Sequence, residues 1–274
     1  MKRTLAITLG VLLCAASASA WGRLGHATVA YIAEQNLTPK AKKAINEYLH
    51  GASLVTVASL NDDFKNIMPV DMGSDFTDGS PRVNSLPHTF EAASGTFIPN
   101  RLVCDGGRYV KNCLYFLDKY QQNLRQNARN MDDSTRFAQI AYLVHATGDM
   151  HCPQHIRYYD EDMTIGYFNV RLGKEEIRYH TLWDDMILTK KRPWSFSDLA
   201  FLVDRMDKNA LKEATQGWIW EWGEDSARCS YVTHHVKPGE KLEQFYLLRY
   251  QRLAQDQLCK AGHRLAKILN ETFK

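Results

Sequence analysis

The sequence predicts a mainly α-helical domain carrying one small β-hairpin, and three observations predict it. The run Phe137-Ala-Gln-Ile-Ala-Tyr-Leu-Val144 and the terminal stretch Leu242–Phe273 repeat their apolar residues at helical spacing. Capping residues precede several of the apolar stretches. Strand-type patterning is confined to residues 167–179, and no strand–helix–strand alternation appears, which argues against a parallel sheet.

After Trp21-Gly-Arg-Leu-Gly-His26, Ala27 to Ile32 reads as an apolar helical stretch. Thr38 is the expected N-cap of a second helix, with Pro39 in its first turn. Ala41, Ile45 and Leu49 line its buried face, and Gly51 ends it. Leu54 to Leu60 is apolar and leads into Asn61-Asp62-Asp63-Phe64-Lys65. Pro69 to Arg101 is rich in Gly, Ser, Pro and Asp and reads as long loops, with Pro87-His88-Thr89-Phe90 inside. A loop that long in a compact domain is functional or tied down. Cys113 to Leu124 is an expected helix, and Asp133 or Ser134 is expected to cap the helix containing Phe137–Val144. Tyr167–Leu172 and Ile177–Tyr179 flank a Gly-Lys turn and read as the hairpin. Ser197 is expected to cap a helix over Asp198–Met206, and Trp218–Tyr231 is amphipathic. The terminal helix is expected to break or kink near Gly262.

The first twenty residues read as an export leader. Lys2 and Arg3 precede the apolar run Leu5–Leu13, and Ala18-Ser-Ala20 is a small-residue cleavage signal. That run is too short to span a bilayer. Cleavage after Ala20 makes Trp21 the new N-terminus, leaving residues 21–274 as one domain and a periplasmic or secreted protein with no membrane attachment. Taking Lys2 and Arg3 from 34 basic residues leaves 32 against 31 acidic ones, a net of +1. A chain so nearly neutral has no polycationic surface for duplex DNA, so any nucleic-acid binding must come from local charge. Cys14 leaves with the leader. Among Cys104, Cys113, Cys152, Cys229 and Cys259, the first two flank a turn-rich Asp-Gly-Gly-Arg loop and are the expected disulfide pair. No Cys-x-x-Cys is present.

The chemistry concentrates in His145-Ala-Thr-Gly-Asp149-Met-His151-Cys-Pro-Gln-His155. On a helix His145 and Asp149 share a face, and Pro153 ends the helix so that the turn can return His155 toward it. The same spacing recurs at His180-Thr-Leu-Trp-Asp184. One such pair is ordinarily an i,i+4 contact. Two pairs plus a His at a proline turn favour a metal, because imidazole nitrogen and carboxylate oxygen are what zinc binds. His26, Asp62 and His88 are further residues of ligand type.

The order Trp21-x4-His26, Asp62, His88, His145-x3-Asp149-x5-His155 and His180-x2-Trp183-Asp184 resembles the S1/P1 nuclease family across essentially the whole chain after the leader. Trp222-Gly-Glu224-Asp-Ser226 and Ala261-Gly-His-Arg-Leu-Ala-Lys-Ile-Leu-Asn270 extend the likeness. The resemblance implies a phospholipase C-like helical fold and a three-zinc nuclease and 3′-nucleotidase that prefers single strands, acting as a monomer. It implies one zinc on Asp62, His88, His145 and Asp149, and a second on His155, His180 and Asp184. The third falls to the Trp21 amino group and carbonyl, His26 and the other oxygen of Asp149. Asp62 is also the implied water-orienting residue, and Lys65 the implied partner of the phosphate charge. The third set needs a free α-amine, so it assembles only after the leader is removed.

Three positions depart from the family pattern or fall outside it. Thr89 follows His88 where the family carries a base-stacking aromatic residue, leaving Phe90 next in line. Cys152 stands where Gln is common and reads as a residue behind the ligands or as packing beside them. His151, His234 and His235 read as surface residues or ones behind the ligands, and His50 and His263 as lying on helix surfaces. Trp183 is expected to pack beneath the metal site. Two other functions are compatible with the ligand types. A zinc phospholipase C has a longer gap between its first Trp and His and a Glu in its last motif, where this chain has Asp184. A non-catalytic periplasmic zinc-binding protein would not need Lys65.

Overall fold

A computed structural model of the chain describes residues 21–63, 90–92, 104–105, 108–109, 113–158, 168–189, 193–233, 235–243 and 245–274. The architecture is mainly α-helical with small two- and three-stranded pairings at its margins. Helix α1 (Arg23–Gln35) is followed by α2 (Pro39–Tyr48), whose N-cap Thr38 accepts the amide hydrogen of Ala41 at 3.3 Å. Ala41, Ile45 and Leu49 are buried, as their spacing predicts. Two short helices, α3 (Leu54–Val57) and α4 (Leu60–Asp63), continue the chain. Strands β1 (Phe90–Ala92), β2 (Cys104–Asp105) and β3 (Arg108–Tyr109) precede α5 (Cys113–Asn127) and α6 (Asp133–Met150).

Helix α6 is the centre of the molecule: every residue from Ala138 to Met150 is buried. A helix buried all round needs neighbours on all sides. α1, α3, α4, α5 and the long terminal helix α12, described below, pack against it. A 3-10 turn (Pro153–His155) ends it and leads into β4 (Ile156–Tyr158), which pairs in parallel with β1. The hairpin forms as β5 (Asn169–Leu172) and β6 (Glu175–Arg178), with Gly173 at φ 64° in the turn, a conformation glycine adopts without penalty. α7 (Tyr179–Thr181), a π-helical turn (Leu182–Met186) and α8 (Ile187–Thr189) run on as one helical segment. α9 (Phe196–Val203), α10 (Lys208–Ala214), α11 (Ile219–Ser230), the edge strand β7 (Lys241–Leu242) and α12 (Tyr246–Thr272) complete the chain. β7 adds to β5 in parallel. Packing of α1 against α12 and α9 closes the core.

Several expectations are corrected. The cap of α6 is Asp132, whose carboxylate accepts the amide hydrogen of Thr135 at 2.9 Å, one or two residues before those expected. Ser195, not Ser197, caps α9 by accepting from the amide of Asp198 at 3.1 Å. α9 ends at Val203 rather than Met206. α10 escapes the sequence pattern because its residues are mostly polar; Asp207 starts it by accepting from two amides. α12 runs unbroken through Gly262. That glycine serves close approach: a Cβ there would lie 2.5 Å from Ile32 Cγ2 of α1. Cys113 is buried and has no disulfide partner among the described residues, while the side chain of Cys104, its expected partner, lies outside them. No helix among the described residues is long and apolar enough to cross a membrane.

Candidate metal centre

His145 and Asp149 lie one turn apart on α6, and α1 brings His26 alongside them. The His26 and His145 rings stack with centroids 4.1 Å apart and planes 15° apart. His26 Nε2 lies 3.1 Å from Asp149 Oδ1, and His145 Nε2 lies 3.2 Å from Asp149 Oδ2. The carboxylate thus shows one oxygen to each imidazole. His26, His145 and Asp149 are buried to within 1% of full. The space between the elements is tight. A Cβ on Gly148 would stand 2.8 Å from His26 Nδ1, so only glycine lets α1 come this near.

The tautomer of His145 is set from behind. Its Nδ1 lies 2.8 Å from the carbonyl oxygen of Ala58, which can accept only from an N–H. Nε2 is then the bare nitrogen facing Asp149, the arrangement metal-ligating histidines adopt. Burial alone would raise the Asp149 pKa; positive charge at the His145 and His26 positions, which a bound cation would equally supply, outweighs it and holds the carboxyl well below its usual range.

A second cluster forms where the 3-10 turn meets the segment 179–189. His155 Nε2 and His180 Nε2 are 3.3 Å apart, and His180 Nε2 is 3.5 Å from Asp184 Oδ2. The Cys152 thiol lies 3.9 Å from Asp184 Oδ1. Cys152, His155 and Asp184 therefore present donor atoms within 4.8 Å of one another, as do His26, His145 and Asp149. Trp183 is fully buried behind this cluster and donates its Nε1–H to the Tyr246 hydroxyl at 3.3 Å.

The first of the described residues are tied to the same place. Trp21 is fully buried, and the amide of Gly22 donates to the Asp184 carbonyl at 3.0 Å. A Cβ on Gly22 would overlap the Asp185 carboxylate, so the contact depends on glycine.

Three expected site residues have side chains outside the described residues. Asp62 falls on α4, which packs against α6, but its side chain lies outside the described residues. Lys65 and His88 lie outside the described residues altogether, as does Thr89. β1 begins two residues after His88 in sequence, and its Phe90 pairs with Ile156, directly after His155.

The residues present suit a metal. Both oxygens of Asp149 and both ring nitrogens of His26 are buried and find no hydrogen-bond partner among the described residues. Such atoms are costly to bury without compensation. A cation of the zinc class, taking imidazole and carboxylate donors, would supply it.

Three contributors were only partly legible in the sequence. Cys152, read as packing or as a residue behind the ligands, meets Asp184. The Ala58 carbonyl, a backbone group, leaves no sequence signal. His151, expected at the surface or behind the ligands, is fully buried between α6 and α12. Its Nδ1–H donates to the Thr147 carbonyl at 2.7 Å, and its Nε2 accepts from Arg264 Nη1 at 2.9 Å. Arg264 also binds Asp225, which Lys260 reaches at 2.8 Å. Burial, and then the Arg264 cation, push the His151 pKa down from 6.5 to about 3. This network braces the end of α6 against α11 and α12. Its residues lie in or beside the Trp222–Ser226 and Ala261–Asn270 motifs, the one signal that pointed to it.

The family model described as S1/P1 Nuclease matches residues 21–274. Endonuclease 2 of Arabidopsis thaliana is 23% identical over 287 residues, covering 97% of this chain and 95% of that protein. Nuclease P1 of Penicillium citrinum is 23% identical over 288 residues, covering 92% and 97%. Nuclease S1 of Aspergillus oryzae is 23% identical over 304 residues, covering 98% of each.

Proposed function

Because the chain belongs to the S1/P1 nuclease family, and is thus a hydrolase of phosphodiester bonds, we propose that it is an exported, zinc-dependent endonuclease. Its substrates are single-stranded RNA and DNA, cut to 5′-phosphorylated products, together with 3′-nucleotides. The observation that carries this reading is the buried Asp149 carboxylate, with one oxygen toward His26 and the other toward His145. A structural His–Asp pair needs one oxygen; a carboxylate shared between two cations uses both.

Three zinc ions would be held: one by Asp62, His88, His145 and Asp149, a second by His155, His180 and Asp184, and a third by the Trp21 amine and carbonyl, His26 and Asp149. Zinc, when bound, supplies Lewis-acid neutralisation of phosphoryl charge and a water of lowered pKa. The chain's own residues do the rest. Ala58 keeps the His145 Nε2 bare and correctly aimed. Asp62 orients the attacking water and accepts its proton on the carboxylate. Lys65 places a cation against the charge that develops on the non-bridging phosphate oxygens. The water oxygen bonds to phosphorus as the bond from phosphorus to the 3′-oxygen breaks; the 3′-oxygen leaves as a hydroxyl, protonated by solvent, and the phosphate stays on the 5′ side.

Residues 1–20 act as the cleaved leader, which frees the Trp21 amine, and the released monomer works in the periplasm or outside the cell. The test is metal analysis of the mature protein together with digestion of homopolymer RNA and DNA, with and without chelator. Three zinc ions per chain and chelator-sensitive cleavage of unpaired strands are expected. Cleavage that ignores the chelator, or hydrolysis of phosphatidylcholine in place of nucleic acid, sinks the proposal.

A further inference from the structure

We infer that Asp204, Cys259 and His263 form a further divalent-cation site of the zinc class, separate from the nuclease centre. Cys259 and His263 stand one turn apart on α12, so both project from one face. Asp204, the residue that ends α9, reaches across to them. Its Oδ1 lies 2.7 Å from His263 Nε2 and 3.6 Å from Cys259 Sγ. The three donor atoms all lie within 4.8 Å of one another. Donors at zinc bond lengths in a tetrahedron stand roughly 3.3–3.8 Å apart, so the three atoms need only small shifts to surround one ion.

The donor set selects the metal. Thiolate, imidazole and one carboxylate oxygen suit zinc and its borderline neighbours; magnesium and calcium require oxygen. Cys259 is fully buried and His263 nearly so, which holds their side chains in place. Asp204 is exposed and gives an ion its route in, with water available as a fourth ligand. The site has a structural consequence as well. α9 and α12 pack on each other and both pack on α1, the helix that carries His26. A cation here would fasten the two helices that flank α1.

The test loads the full-length mature protein with cobalt(II) in a Cys152→Ser background, which removes the thiol beside the nuclease clusters. A sulfur-to-cobalt charge-transfer band is expected, and native mass spectrometry should count one more cation than in the same protein carrying Cys259→Ser. His263→Ala should lose the same band and the same single ion, while cleavage of single-stranded RNA stays at the level of the background. Asp204→Ala, at an exposed position, gives a second reading if a buried variant does not fold. A band and a cation count unchanged by both Cys259→Ser and Asp204→Ala overturn the inference. Failure of the zinc-nuclease reading would leave this count untouched, so the two can fail separately.

Discussion

His26 and His145 stack ring on ring, 4.1 Å apart, and each directs its Nε2 at a different oxygen of Asp149. Each carboxylate oxygen thus has its own imidazole nitrogen beside it, the donor pairing that a cation on either side would take. Asp149→Asn is therefore expected to lower zinc content by more than one ion per chain. Nuclease activity should fall at least about 100-fold, the upper range for weaker, outer-sphere lesions of zinc sites. Loss of a single ion, counted by elemental analysis, would show that Asp149 does not bridge.

Gly148→Ala tests how closely α1 must approach α6. Alanine ordinarily stabilises a helix interior by about 0.5–1 kcal/mol relative to glycine. Here the added methyl would meet His26 Nδ1 at 2.8 Å. We expect a folded protein whose helical signal is unchanged and whose activity falls about tenfold or more, because misplacing a catalytic group by an ångström is that costly. Activity within twofold of wild type would mean that His26 can yield without consequence.

One residue added before Trp21 should remove most activity while the protein stays folded. Trp21 is fully buried and Gly22 is bonded to the Asp184 carbonyl, and the proposed third ion needs a free α-amine at Trp21. Full activity from the extended variant, verified as unprocessed by mass spectrometry, would contradict the amine's role.

Cys152 is expected to matter through Asp184. Burial, then the Asp184 and Asp149 carboxylates, raise its pKa, so without a cation it is a neutral thiol donating to Asp184 Oδ1. Cys152→Ala removes that donor and should weaken zinc binding at the second cluster about 10- to 100-fold in chelator competition. Cys152→Ser keeps a donor and should lose less. Equal affinity in all three proteins would reduce Cys152 to packing.

Acid stability should depend on His151. Its folded pKa is about 3 against 6.5 for the free side chain, because burial and Arg264 disfavour the proton. Between those values the unfolded chain binds the extra proton. His151 therefore contributes stability that is complete above about pH 6.5 and is lost as pH falls toward 3. His151→Gln replaces the ring with an amide that does not titrate. Urea midpoints measured with chelator present, at about pH 7 and about pH 4.5, should fall less steeply in the variant. Parallel slopes would remove His151 as a source of acid sensitivity.

Much of the helical framework was legible from periodicity and caps, since Thr38, the α6 apolar run and the hairpin turn act through neighbours a few residues away. Misplaced caps, such as Ser197 for Ser195, arose because adjacent Ser and Asp residues offer similar local signals and only backbone geometry chooses among them. Gly262 was misread for a related reason. A glycine in a helix signals either a bend or a close neighbour, and Ile32, the neighbour, is 230 residues away in sequence.

By itself the chain's sequence determined the donor pairs one helical turn apart, His145 with Asp149 and His180 with Asp184, because a helix dictates which face such residues share. The order of its motifs also determined the family. Only the tertiary structure decided that His26 stacks on His145, that Cys152 reaches Asp184, that Arg264 keeps His151 neutral, and that Asp204 meets Cys259 and His263. These partners are set by how helices pack, and packing depends on the summed shape of buried side chains rather than on any spacing along the chain.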